Sequence, residues 1–114
     1  MAFGIYDIEI EQGETFGLDL TLNDESGALR PLVNYVARLV FRTFTSSVSA
    51  TDSWETGNEI TTHDTAPNLR ITVPATSTAA YPVGFYDYDL EIELSGIVEK
   101  VLRGKVQITG EASR

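Results

Sequence analysis

Apolar and polar residues alternate along most of this chain with a period of two, the pattern of strands that bury one face and leave the other to water. Tyr6, Ile8 and Ile10 alternate with Asp7, Glu9 and Glu11; after the Gln12-Gly13 break, Phe16, Leu18, Leu20 and Leu22 alternate with Gly17, Asp19 and Thr21. "NDESG", Asn23 to Gly27, reads as a turn, because Asn, Asp and Ser side chains bond nearby backbone and Gly accepts positive φ. Tyr35, Ala37, Leu39 and Phe41 then alternate with Val36, Arg38, Val40 and Arg42. Leu69, Ile71 and Val73 form a strand closed by Pro74, and the Ala-rich residues between Pro74 and Pro82 predict a helical turn. "GFYDYDLEIELSG", Gly84 to Gly96, alternates again, and Ser95-Gly96 reverses the chain into "IVEKVLRGKVQIT". Gly104 inside that last strand marks a bulge or a close backbone approach. The polar stretch from Thr43 to Ile60 reads either as a long mobile loop or as two short edge strands joined at Ser46–Ser53.

About seven short strands separated by turns predict an all-β domain, an antiparallel sandwich or barrel. No repeat or boundary divides the chain, so residues 1–114 are expected to be one domain. The stretch around Gly84 narrows the topology. Immunoglobulin-like sandwiches place a tyrosine at the start of the penultimate strand, its hydroxyl bonded back to the preceding corner. Tyr86, following Gly84, stands in that position, and Tyr88 stands where antibody domains carry their second cysteine. The expected fold is an antiparallel immunoglobulin-like β-sandwich.

Composition removes whole classes of function. With no cysteine, the chain has neither disulfides nor thiolate metal sites. Eight basic residues against 17 acidic ones give a net charge of −9, with no basic stripe to displace counterions from a nucleic acid. No nucleic-acid partner is expected. The opening "MAFGIYDIEIEQ" has neither a basic segment nor an unbroken apolar one, so no signal peptide and no membrane insertion are expected.

The acids Asp87, Asp89, Glu91 and Glu93 fall on every second position. In a strand they share one face with about 6.5–7 Å between successive Cα atoms, while Tyr86, Tyr88, Leu90, Ile92 and Leu94 bury the other. Calcium takes six or more oxygens from a loop that curls around the ion, which a straight strand does not do. Paired carboxylates for glycoside cleavage need a cleft with an apolar wall, which an open sheet face lacks. The acids therefore read as a wet face, compensated by Lys100, Arg103 and Lys105 on the next strand. A two-residue Ser95-Gly96 loop would pair Glu91 with Lys100. A three-residue loop flips the second strand, places Val98, Leu102, Val106 and Ile108 on the Leu90/Ile92 side, and is expected because it buries more. His63, the only histidine, lies beside Asp64 but lacks both a nucleophile turn and further metal ligands. No catalytic residue, metal or cofactor is expected. Trp54, the only tryptophan, is either a binding anchor or a side chain folded back over the sandwich edge. Phe3 and Ile5 offer an apolar N-terminal arm as a second candidate contact.

Two stretches carry a family resemblance. "EQGETFGLDLTLNDESGALRPLVNYVARLVFR" resembles the opening of small tailed-phage virion domains, with a G-E-T-F strand, an acidic Gly turn and an Arg-punctuated strand. "YPVGFYDYDLEIELSGIVEKVLRGKVQIT" is similar to their closing hairpin. The resemblance runs from about Glu11 to Thr109, with Thr45 to Asn68 departing from it. It implies a sandwich similar to the N-terminal domain of phage upper baseplate proteins, which tethers receptor-binding parts to the tail and has no active site. Related sandwiches decorate capsids as cement proteins. The implied role is a tail or baseplate adaptor, located in the virion after assembly in the host cytoplasm, with tail, baseplate or capsid subunits as partners. Capsid decoration is the first alternative, and a carbohydrate-binding module with Trp54 as its platform is the second.

Overall fold

The computed structural model describes residues 4–43 and 52–110, so the Phe3 arm contact lies outside the described residues. Nine strands and one helical turn run in the order β1 (Gly4–Ile5), β2 (Ile8–Glu11), β3 (Phe16–Leu20), β4 (Val36–Arg42), β5 (Asp52–Glu55), β6 (Ile60–Thr62), β7 (Leu69–Val73), α1 (Ala75–Thr78), β8 (Gly84–Leu94) and β9 (Ile97–Thr109). One sheet has the order β1-β9-β8-β4-β5, with β2 also on β9; the second has the order β3-β7-β6. Each alternation read from the sequence sends most of its apolar set inward, the exceptions being Tyr6 and Leu94 at strand margins. Ala37, Leu39 and Phe41 of β4, Tyr86, Tyr88, Leu90 and Ile92 of β8 and Leu69, Ile71 and Val73 of β7 meet between the sheets in one buried cluster. The turn at Asn23–Gly27 forms as expected, with Asp24 Oδ1 accepting from the amides of Ser26 and Ala28 and Gly27 at φ 87°. The polar stretch holds one edge strand, β5 on β4; the other, β6 on β7, begins only at Ile60, and the two are joined at 56–59 and not at Ser46–Ser53, while residues 44–51 lie outside the described set.

The β8–β9 hairpin corrects the expected loop. Leu94 pairs with Ile97, so the loop has two residues, Ser95 at φ 53° and Gly96 at φ 82°. Positive φ at both positions gives a turn whose twist matches that of the flanking strands, which favours it over a longer loop. The flip that the longer loop was meant to supply occurs further along. Glu91 faces Lys100, but Leu90 faces Leu102, so β9 carries one extra residue at Val101. Before this bulge the hairpin leaves Val98 half exposed, at 50%. After it, Leu102, Val106 and Ile108 turn into the core.

Gly104 is the site of a close approach, with the bulge three residues earlier. β1 and β2 run parallel to β9 in one continuous register, Ile5 beside Arg103 and Ile8 beside Val106. Between them the edge bows inward at Tyr6. The Tyr6 amide donates to the Arg103 carbonyl (2.9 Å), and the Lys105 amide turns to Asp7 Oδ1 (3.0 Å). The Tyr6 carbonyl leaves the ladder and accepts from the buried Tyr88 hydroxyl. A Cβ on residue 104 would stand 2.2 Å from that carbonyl oxygen. Gly104→Ala is therefore expected to cost about 1–3 kcal/mol as overpacking against backbone. Gly17→Ala, where a Cβ meets nothing within 4 Å, is expected to be neutral or slightly stabilising. Urea midpoints of the two variants check the contrast; equal midpoints would refute it.

Candidate functional site

The acid strand β8 lies between two strands that carry bases, which settles how its outer face is balanced. Asp87 has Lys105 on one side and Arg42 on the other; Asp89 has Arg103 and Val40; Glu91 has Lys100 and Arg38. Lys100 Nζ reaches Glu91 (2.8 Å) and Asp89 (3.2 Å), Arg38 reaches Glu91 (3.2 Å), and Lys105 pairs with Asp87. The Lys100 ammonium, helped by Arg38, holds the Glu91 carboxyl below its ordinary range despite partial burial. Exposed pairs of this kind are worth little singly, so they set register and suppress repulsion more than they add stability. Among the described residues, no group of three or more His, Cys, Asp or Glu is placed to hold a metal ion.

A tighter pair closes one end of the sandwich. The Arg30 guanidinium meets both oxygens of Glu99 at 2.7 Å and stacks over the Tyr35 ring, 5.3 Å from its centroid. The Arg30 hydrogen bonds hold the Glu99 carboxyl below its ordinary value of 4.5. A carboxyl whose pKa is lower folded than unfolded contributes stability above its unfolded pKa and loses it as pH falls through the folded one. Glu99→Gln is thus expected to be less stable than the parent at neutral pH, with the gap closing between about pH 5 and pH 3. Urea midpoints against pH measure this, and a gap constant with pH would refute it.

The corner reading of Tyr86 is met in the geometry, since its hydroxyl donates to the Pro82 carbonyl at the preceding corner. Gly84 opens the strand at φ 154°, a backbone value that residues with a side chain rarely adopt. Tyr88 pins the edge strand through Tyr6, and burial raises the pKa of its hydroxyl.

Trp54 as a partner contact is corrected. It is 0% exposed, faces Leu39 across the β4–β5 ladder, and packs its ring against Phe16 and Phe41 at centroid distances of 5.8 and 5.4 Å. Its indole Nε1 donates to the Tyr81 hydroxyl (3.0 Å), which in turn donates to Asp52. The indole satisfies its one polar atom inside, so nothing of it is left for a ligand, and a sugar platform at Trp54 has no exposed ring. Ile5 keeps its candidacy, 80% exposed on the sheet edge. His63 makes a side-chain contact with Thr61 and accepts a backbone bond from Leu32.

Sequence reasoning missed Asn68. It is fully buried, its Oδ1 accepting from the Leu22 amide (2.8 Å) and its Nδ2 donating to the carbonyls of Leu22 (2.8 Å) and Arg30 (2.7 Å). It ties the connection after β3 to the start of β7 and so positions Arg30.

The chain matches no family model and no curated protein. A solved structure from work on multimeric cell-adhesive interactions of VGSC beta subunits aligns over 92% of this chain and 92% of its own, at 12% identity and a TM-score of 0.48. The extracellular fragment, with stalk region, of novel immune-type receptor 11 from Ictalurus punctatus aligns over 100% of this chain and 89% of its own, at 10% identity and a TM-score of 0.35. The two sheets and the Tyr86 corner make the chain an all-β, immunoglobulin-like sandwich.

Proposed function

We propose that this chain is a structural virion protein of a tailed phage, a tail or baseplate adaptor that acts through protein–protein contacts in a symmetric, many-copy assembly, without catalysis or cofactor. The observation that carries the reading is the edge of the larger sheet. β1 and β2 form its margin beside β9, and Ile5 stands there 80% exposed, with Tyr6 next to it 45% exposed. An edge strand offers a row of backbone donors and acceptors, and an apolar side chain beside it supplies an anchor for a neighbouring subunit. The phage-like opening and closing segments also come together in space, since β4 lies against β8. A strongly acidic surface disfavours adventitious nucleic-acid contact during packaging. The test is stoichiometric: the chain is expected in purified particles at a fixed copy number, tens for a tail position and hundreds for capsid decoration. Absence from particles, with the chain found only free in the host cytoplasm, would overturn the reading.

A further inference from the structure

The outer face of the larger sheet concentrates the bases of an otherwise acidic molecule. Five of the eight Lys and Arg residues, Arg38, Arg42, Lys100, Arg103 and Lys105, lie on it. The same face carries seven acids, Asp7, Glu9, Glu11, Asp87, Asp89, Glu91 and Glu93, so its net charge is −2 of the chain's −9, and two copies repel one another least when these faces meet.

The order of charges across the strands matters more than their number. Level with the middle of the face, the row from the sheet margin across β9, β8 and β4 runs Asp7 (between β1 and β2, its Oδ1 on the Lys105 amide), Lys105, Asp87, Arg42, which is minus, plus, minus, plus. The next row runs Ile5, Arg103, Asp89, Val40, which is apolar, plus, minus, apolar. Both rows change sign on reflection about the line between β8 and β9. A twofold axis along that line, parallel to the strands, would lay Asp7 over Arg42 of a second copy, Lys105 over Asp87, Arg103 over Asp89 and Ile5 over Val40. Each contact would occur twice. In the row above, Lys100 would meet Glu91. An axis along β8 instead sets acid on acid, and an axis across the strands sets the β9 bases on themselves.

From this sign pattern we infer that the outer β2-β9-β8-β4 face is an isologous homodimer interface with its twofold axis between β8 and β9. The occupant is a second copy because the three central rows of the face are complementary to themselves about this axis. The intrachain pairs on this face are exposed, and a facing copy converts them into four-membered clusters of alternating sign. Four strands about 4.8 Å apart and rows about 6.8 Å apart span on the order of 600 Å² per copy, near the lower limit for a specific complex. The dimer is therefore expected to be weak, with a dissociation constant on the order of micromolar, its charges fixing orientation more than affinity. This inference is independent of the virion reading: a dimer of a chain absent from particles would retain one and discard the other.

The experiment is sedimentation velocity on the full chain from about 1 to 200 µM, a range that brackets the expected constant. The parent is expected to pass from monomer to dimer. Asp89→Arg and Arg103→Glu each place like charges in two symmetric contacts, and each is expected to weaken dimerisation at least about tenfold. Mixed together they are expected to form a heterodimer, because Arg at 89 of one chain then faces Glu at 103 of the other, and Arg103 faces Asp89. Thermal unfolding of each variant confirms that both remain folded; Arg103 is exposed and Asp89 half-buried in a pair with Lys100, so the larger shift is expected for Asp89→Arg. A parent that stays monomeric across the range, or a mixture no better associated than its components, overturns the proposal.

Discussion

Replacing Trp54 with alanine is expected to remove about 3–5 kcal/mol of stability, the largest single loss available in this core. The indole is fully buried between Phe16 of one sheet and Phe41 of the other, so its removal opens a cavity where the two sheets meet. Neither backbone can collapse into the gap without breaking its own ladder. The truncation also takes away the donor to Tyr81, whose hydroxyl still has Asp52. A loss of this size corresponds to a fall of roughly 15 °C or more in the thermal midpoint of a domain this small. Trp54→Phe keeps an aromatic ring and is expected to lose about 1–2 kcal/mol, from reduced volume and the missing N–H. Urea unfolding followed by far-UV circular dichroism measures both. If Trp54→Ala unfolded at the parent's midpoint, the side chain would be at the surface in solution and its packing here would be refuted.

Asn68→Ala is expected to cost about 2–4 kcal/mol through unmet backbone groups. The Leu22 amide and the Arg30 carbonyl both depend on this side chain, while the Leu22 carbonyl keeps a second donor in the Arg30 amide (3.1 Å). Volume alone does not explain such a loss, and Asn68→Asp separates the two causes. The carboxylate is nearly isosteric, yet it cannot donate to either carbonyl and sets negative charge beside both. It is expected to be at least as damaging as alanine. An aspartate variant as stable as the parent would show that shape, and not donation, is what residue 68 supplies.

How much of this was legible in the sequence depends on how far away the deciding partner lies. The faces of β4, β7 and β8 follow from alternation, because period two is a local property and each strand obeys it. Tyr86 was legible too, since its acceptor Pro82 is four residues away. Trp54 sits among Asp52, Ser53 and Glu55, a polar setting that conceals a core residue; only its pairing with Leu39 and its contact with Phe16 on the other sheet reveal it. Asn68 bonds to residues 38 and 46 positions away, and no spacing rule reaches that far. The hairpin is the instructive case. The burial argument for a parity flip in β9 was sound, and the flip exists, but at Val101 and not in the loop. The adjacent apolar pair Val101-Leu102, just ahead of the alternating Lys105-Val106-Gln107-Ile108, was the local mark of it. The self-complementary order of charges was not legible before register was known, because it is spread over four strands from three parts of the chain.

The parallel clasp of β2 on β9 also constrains the order of assembly. The Ile8 and Val106 it pairs are 98 positions apart, so this margin of the sheet cannot close until nearly the whole described chain has left the ribosome. At about 5–20 residues per second, that is a wait of roughly 5–20 seconds after the first strand emerges. During it, "IEIE" of β2 has no partner, and its alternating acids are the feature that discourages pairing with another nascent chain. Closure over so long a separation also places folding toward the slow end for a domain of this size, milliseconds to seconds. The N-terminal strand is thus first to be made and among the last to be locked.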